Sequence, residues 1–290
     1  MATIYSKAYF KDSIIDFNQA KLSIASSAVL YGLSVYTVFH AWPNNKGGWD
    51  KFRLNKHFER LINSSKIIGF EPININFNQF EAIIDNLIAA NNLESDVLVR
   101  VTIHGDSLLP GTRSEGLEKT LSIFIYKAEG IFEQTGVSLK TTFWKRNPDT
   151  SIPNRAKING GYVNNVLGSQ DAKSSGFDDC LFLTHDGKVS ELSAANIFMV
   201  KNGEILTPTN NSDILEGINR QAVIDIASEL KLLFKEKSLD LSELYTADEL
   251  FACGSSAFIT PIIKLDGRHF KSGKITNMVS REWLKMHGKH

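Results

Sequence analysis

Arg155-Ala-Lys157-Ile-Asn-Gly-Gly-Tyr162 and Val189-Ser-Glu191-Leu-Ser-Ala-Ala-Asn196-Ile-Phe are the stretches on which the reading of this chain turns. The first sets a lysine ahead of two glycines; the second sets an acid in a polar turn that leads into an apolar strand. Neither carries weight alone, because a lysine most often only meets solvent and a glutamate in a turn does the same. Their weight comes from further stretches in a fixed order around them. These are Tyr31-Gly-Leu-Ser-Val-Tyr36, His57-Phe-Glu-Arg60-Leu-Ile-Asn-Ser-Ser, Leu215-Glu-Gly217-Ile218-Asn219-Arg220 and Cys253-Gly254-Ser255-Ser256-Ala257-Phe-Ile-Thr-Pro261. The third can be read physically by itself: glycine permits a tight approach where a helix begins, and a helix N-terminus favours an anion.

In this order the segments resemble the class IV aminotransferases, which work with pyridoxal 5'-phosphate, and the resemblance runs from about residue 25 to about residue 275. It implies fold type IV, an α+β architecture with a small N-terminal α/β domain and a larger β-rich C-terminal domain. It also implies a role for each residue. Lys157 holds the cofactor aldehyde covalently, and Glu191, opposite the ring nitrogen, keeps that nitrogen protonated so that the ring can accept electrons. Tyr162 hydrogen-bonds the phenolic oxygen. Arg60 holds the phosphate, together with the turn and helix start at Leu215, Ile218 and Asn219. Ser255 touches the phosphate, and the backbone amides around Ser255 and Ser256 take the substrate carboxylate.

Within the group, Lys157-x-x-Gly-Gly-Tyr162 and the Tyr31–Tyr36 run, with Trp144, Arg146 and Pro153 ahead of the lysine, are most similar to the branched-chain aminotransferases. That similarity implies ping-pong transfer of an amino group from a branched-chain L-amino acid to 2-oxoglutarate, with Tyr31, Tyr36 and Trp144 walling the substrate pocket. Arg100 is a charge in the apolar run Val-Leu-Val-Arg100-Val-Thr; burying an unpaired guanidinium is expensive, which predicts a carboxylate partner. The resemblance gives it the side-chain carboxylate of glutamate to recognise. The chain departs from the pattern at Thr37 and Phe258, each where a glutamate is usual, at Ala195, which precedes Asn196 where a glutamate is common, and at Asn219 in place of threonine. Asparagine still offers a donor to phosphate. Three other readings stay open. One is a D-amino acid transaminase, although its Arg-x-His trap is absent after Arg100; another is an aminodeoxychorismate lyase, although its Lys-x-x-Asn run is replaced. The third is a catalytically silent binding protein of the same fold.

Composition bounds the rest. The 290 residues, 42% hydrophobic and 22% charged, suit a globular protein of two domains. Thirty-two basic and thirty-two acidic residues cancel, so no positive field favours nucleic acid or an anionic membrane. Cys180 and Cys253 have no Cys-x-x-Cys or histidine pairing, which argues against a metal site or a disulfide framework. The opening Met-Ala-Thr-Ile-Tyr-Ser-Lys-Ala lacks a charged and apolar leader pattern, and no run has the length of a membrane span. The expected setting is the cytoplasm and the expected assembly, from the resemblance, a homodimer.

The Glu129-Gly-Ile-Phe segment marks the expected boundary, giving domains 1–128 and 129–290 with the active site between them. Ala28 to Trp42 reads as strand and loop, Asn55 to Ile68 and Phe77 to Ala90 as helices, and Asp96 to His104 and Leu121 to Tyr126 as strands. In the second half, strands are predicted at 137–144, 179–184, 197–200, 247–253 and 259–265. Helices are predicted at 160–174, at 215–233 and in an amphipathic C-terminal segment with Trp283 and Leu284. Asp186-Gly187 signals a tight hairpin, and Gly47-Gly48 a hairpin loop. Gly160-Gly161 lacks the spacing of a dinucleotide fingerprint. His104-Gly-Asp106 reads as a polar cluster, and His287-Gly-Lys-His290 as a frayed end.

Overall fold

The computed structural model describes residues 3–271 and 273–288; Met1 and Ala2 of the opening run and Lys289 and His290 of the tail lie outside the described residues. The chain forms two compact units. One comprises the chain up to Glu129 together with Ala156–Gly161; the other comprises Gly130–Arg155 and the chain from Tyr162 onward. The six residues around the key lysine thus belong by their contacts to the first unit, not to the half of the chain in which they fall.

In the first unit β1 (Ile4–Phe10), β2 (Ser13–Asp16), β3 (Ser34–Pro43), β4 (Trp49–Lys51), β5 (Val97–Gly105) and β6 (Lys119–Lys127) make one sheet in the order β2-β1-β6-β5-β3-β4. Every pairing in it is antiparallel. β3 is buried along almost its whole length, as its β-branched and aromatic run suggests. Helix α1 (Ser27–Tyr31) precedes it, where strand and loop were expected, and ends at Gly32 in a left-handed conformation. Helices α2 (Leu54–Ile67) and α3 (Phe77–Ala90) lie where their spacing predicts; α3 begins with a reciprocal capping box between Asn76 and Gln79. Phe39, Leu61, Phe80, Ile84, Leu87, Val101 and Ile123 form the core between sheet and helices, each side chain contributing roughly 1.5–3 kcal/mol by leaving water.

The second unit holds β7 (Val137–Lys145), α4 (Tyr162–Ser174), β8 (Asp179–Leu183), β9 (Val189–Leu192), β10 (Asn196–Lys201), β11 (Glu204–Thr207), α5 (Ile218–Glu229), β12 (Leu233–Glu236), α6 (Leu241–Leu244), β13 (Glu249–Gly254), β14 (Phe258–Leu265), β15 (Arg268–His269) and α7 (Lys274–Met286). Its nine-stranded sheet runs β12-β11-β10-β13-β14-β7-β8-β9, with β15 added on β14. The Asp186-Gly187 turn joins β8 to β9 as a hairpin, with Gly187 at φ 85°. Two predicted helices are shorter than read. The helix expected from Gly160 starts at Tyr162, because Asn159 and Gly160 lie in a turn, their N–H groups donating to the Ser34 and Gly32 carbonyls. The helix expected through Leu233 stops at Glu229, since Lys231 turns left-handed and Leu233 opens a strand parallel to β11. Among the described residues no helix is long and apolar enough to cross a membrane.

Candidate active site

Lys157 is presented by strand pairing. Its segment runs antiparallel along the start of β3, with Val35 opposite Ile158, the Tyr36 N–H donating to the Lys157 carbonyl at 2.9 Å and the Asn159 N–H donating to the Ser34 carbonyl at 2.9 Å. The Lys157 N–H donates to Ser64 Oγ on α2 at 3.1 Å. Such closeness requires glycine: a Cβ on Gly32, at φ 67°, would fall 2.7 Å from the Gly160 Cα. The Lys157 amine lies 4.8 Å from the centre of the Tyr36 ring, and Asn159 meets Arg100. The Arg100 guanidinium stacks on the same ring at 3.7 Å and donates to Asn159 Oδ1 at 2.6 Å. The carboxylate partner expected for Arg100 is therefore not what the structure shows: an amide oxygen and a ring face hold the cation.

Arg60, on α2, donates to Thr37 Oγ1 at 3.3 Å, and Thr37 lies 2.7 Å from His57 Nδ1. His57 is fully buried, and burial, then the charges of Arg60 and Lys157, push its pKa well below the ordinary histidine range. The neutral ring can accept the Thr37 hydroxyl proton while Thr37 accepts from Arg60. A hydroxyl at position 37 adds no negative charge beside Arg60, as a carboxylate there would. Lys157, Arg60, Tyr36 and Arg100 thus come together in the first unit. Tyr31, at the end of α1, is 44% exposed.

In the second unit the acid is as tightly held as the lysine. Glu191 on β9 is 4% exposed. Arg146 donates to its Oε1 at 2.7 Å, Asn196 Nδ2 to its Oε2 at 2.9 Å, and the Leu215 N–H to both oxygens at 3.2 Å. Arg146 is steadied in turn by Asn165 Oδ1 at 2.9 Å, Asn165 donates to the Ser193 carbonyl, and Ser193 donates to Asp179. Gly217 leaves room for this set, since a Cβ there would fall 2.1 Å from Asn196 Oδ1. A cation and several donors around a buried carboxylate favour its charged form.

Gly217 is also the N-cap of α5, without a side-chain cap bond. Behind it Asn219 donates to Ser255 Oγ at 3.1 Å and accepts from the Trp283 indole at 2.9 Å. The Ser256 carbonyl accepts from the Ile131 N–H at 2.9 Å. Phe258, where a glutamate is usual, sits at φ 55°, a left-handed turn that a bulky residue adopts only under restraint from its surroundings. Tyr162 opens α4, and Trp144, 36% exposed, packs against Phe143. His104 and Asp106 are a polar cluster as read: His104 meets Ser122 at 2.8 Å and Asp106 meets Thr120 and Lys11. Burial above all pushes His104 down to about 4.

Several residues here escaped the sequence reading. The clasp of Arg146 on Glu191 joins positions far apart in sequence, and no local signal marks it. The grip of Asn159 on Arg100 joins positions 59 residues apart and was not read. Trp283 gave only the signal of an amphipathic helix.

Residues 34–265 match the family described as Amino-transferase class IV. The chain belongs to the class IV aminotransferases. A "Probable branched-chain-amino-acid aminotransferase" of Synechocystis sp. is 33% identical over 261 residues, 89% of this chain and 85% of the relative. Among solved structures, the branched-chain aminotransferase of Thermoproteus uzoniensis with norvaline superposes with a TM-score of 0.94 at 31% identity, covering 100% of this enzyme and 96% of that chain. The T.th. branched-chain amino acid aminotransferase complexed with N-(5'-phosphopyridoxyl)-L-glutamate gives 0.91 at 28% identity, over 99% and 95%. The fold expected for this enzyme is the one these structures share.

Proposed function

We propose that this enzyme transfers the amino group of a branched-chain L-amino acid to 2-oxoglutarate in a ping-pong cycle, with pyridoxal 5'-phosphate on Lys157. The observation that carries the reading is Glu191, a buried carboxylate clasped by Arg146, Asn196 and the Leu215 N–H. Nothing about packing requires an ion there, and burying one costs several kcal/mol unless it is matched. Its use is to hold a proton on a ring nitrogen. The remaining donors fit the same cofactor: a cation at Arg60, the uncapped start of α5, Asn219 and Ser255 suit a phosphate, and Lys157 offers an amine.

When bound, the cofactor supplies an electron sink for the bond broken at the substrate Cα. Lys157 takes the Cα proton and gives it back. Glu191 keeps the ring nitrogen protonated, Tyr162 orients the phenolic oxygen, and Arg60, Ile218, Asn219 and Ser255 fix the phosphate. The Tyr31, Tyr36 and Trp144 side chains favour an aliphatic substrate, at roughly 0.8 kcal/mol per buried CH₂. Arg100, held flat on Tyr36 by Asn159, is the cation for the second carboxylate of glutamate. Relatives with norvaline and with a glutamate conjugate support one site that takes both kinds of side chain. Apolar side chains exposed in each unit, Val29, Leu30 and Leu108 in the first and Phe143, Val163 and Val166 in the second, support the homodimer; the cytoplasm is its proposed setting.

Single-turnover reactions with L-leucine, L-isoleucine, L-valine, L-glutamate and D-alanine test the reading. The cofactor band should change with the four L-amino acids. A preference for D-alanine would move the enzyme to the D-amino acid transaminases, and release of pyruvate from aminodeoxychorismate would make it the lyase.

A further inference from the structure

We infer that Trp283, on the C-terminal helix, is a positioning residue for phosphate: its indole N–H fixes which way the Asn219 amide faces. The inference rests on the start of α5 being the phosphate site. Asn219 is 4% exposed, so water cannot settle its orientation. Its amide has nearly the same shape either way round, with an acceptor oxygen on one side and two donor hydrogens on the other. An indole nitrogen is a donor only. With Trp283 Nε1 2.9 Å from Asn219 Oδ1, the oxygen must face the indole and the NH₂ must face Ser255 Oγ, 3.1 Å away. Turned over, the amide would set N–H against N–H at the indole and lose that bond, and Ser255 would have to donate its hydroxyl hydrogen to the amide oxygen instead of accepting.

The consequence for an anion is direct. Ser255 Oγ accepts one Asn219 hydrogen, and the second Asn219 hydrogen stays a donor, which adds to the backbone N–H groups that open α5. A reversed Asn219 would offer an oxygen to the phosphate instead.

Trp283 is itself held from several sides. Glu249 on β13 accepts from the Ile275 N–H at 3.1 Å, the Thr276 N–H at 2.7 Å and the Thr276 hydroxyl at 2.6 Å, tying down the first turn of α7. His287 stacks on the indole at 3.6 Å between ring centres, and Phe258 meets it at 5.7 Å. Trp283 is 2% exposed, more burial than one hydrogen bond alone would explain, and the packing keeps the N–H on one line.

The test is a double-mutant cycle on the cofactor-free enzyme, titrated with pyridoxal 5'-phosphate, with pyridoxal and with inorganic phosphate. Trp283→Phe keeps a ring and removes the N–H. It should weaken pyridoxal 5'-phosphate and inorganic phosphate about five- to tenfold, the worth of one ordinary hydrogen bond, and leave pyridoxal unchanged. In an Asn219→Ala background the same substitution should have no further effect. Equal weakening of pyridoxal and its phosphate, or an undiminished loss in Asn219→Ala, would make Trp283 a packing residue and overturn the inference. Failure of the wild-type enzyme to bind pyridoxal 5'-phosphate would overturn the site and this inference together. The wild-type protein gives a reading that needs no Trp283 variant: the indole N–H resonance that shifts in Asn219→Ala should exchange slowly with solvent and move when inorganic phosphate binds. A resonance indifferent to both would sink the proposal.

Discussion

Replacing Arg146 by methionine tests how Glu191 is kept ionised inside the protein. The two side chains are 6% and 5% exposed, with 2.7 Å between Nη2 and Oε1. Removing one partner of a buried pair costs about 3–5 kcal/mol, because the other charge is left without its counter-ion. Here the Asn196 amide and the Leu215 N–H stay on the carboxylate and each returns about 1 kcal/mol, while Asn165 loses the donor it faces. The expected loss is about 3 kcal/mol, with methionine filling most of the space. Glu191→Gln in the same background removes the stranded charge, so the double variant should recover about 2 kcal/mol relative to the sum of the singles. Urea unfolding of the cofactor-free protein, followed by circular dichroism, reads all four corners of the cycle. A cost below about 1 kcal/mol for Arg146→Met, or a double variant that loses as much as the two singles together, would refute the reasoning. Glu191 would then be held by its neutral donors alone.

Glu191→Ala should leave the cofactor bound and remove nearly all turnover, whereas Arg60→Ala should first weaken cofactor retention; absorbance after gel filtration and steady-state rates would show the opposite order if the roles were misassigned. Arg100→Leu should slow the glutamate or 2-oxoglutarate half-reaction by about 2 to 4 kcal/mol in transition-state terms and spare the leucine half-reaction. Equal losses in single-turnover rates would make Arg100 structural. His104 is held neutral, its pKa lowered to about 4, chiefly by burial; between its unfolded value of about 6.5 and that figure the unfolded chain binds the extra proton, so this part of the stability is intact above pH 6.5 and falls as pH drops toward 4, by about 1.4 kcal/mol per pH unit at most. His104→Gln should flatten the fall of unfolding free energy between pH 6.5 and 4.5 by close to one proton; an unchanged slope would show that His104 does not titrate differently on folding.

The sequence carried the parts of this enzyme that depend on local order. Helices α2 and α3 announced themselves by spacing, β5 and β6 by runs of β-branched residues, and the β8–β9 hairpin by Asp186-Gly187. What stayed hidden depends on tertiary pairing. Leu233 was read as the end of a helix because Leu233–Glu236 becomes a strand only by lying beside β11, and Asn159 and Gly160 stay out of α4 because Ser34 and Gly32 bond them. At the site, the resemblance supplied Lys157 and Glu191, but their supports were not readable. Arg100 was matched to a carboxylate on the rule that buried charge seeks opposite charge; the structure meets the same need with the Tyr36 face and the Asn159 oxygen. Arg146 and Trp283 reach Glu191 and Asn219 through folds in the chain that no short window contains.

Reduction of the loaded enzyme with borohydride, followed by peptide mapping, tests the central claim most directly. The reduced pyridoxyl group should appear on Lys157 alone, in the peptide that pairs with β3. A label on any other lysine would contradict the site, and no label at all would contradict the chemistry.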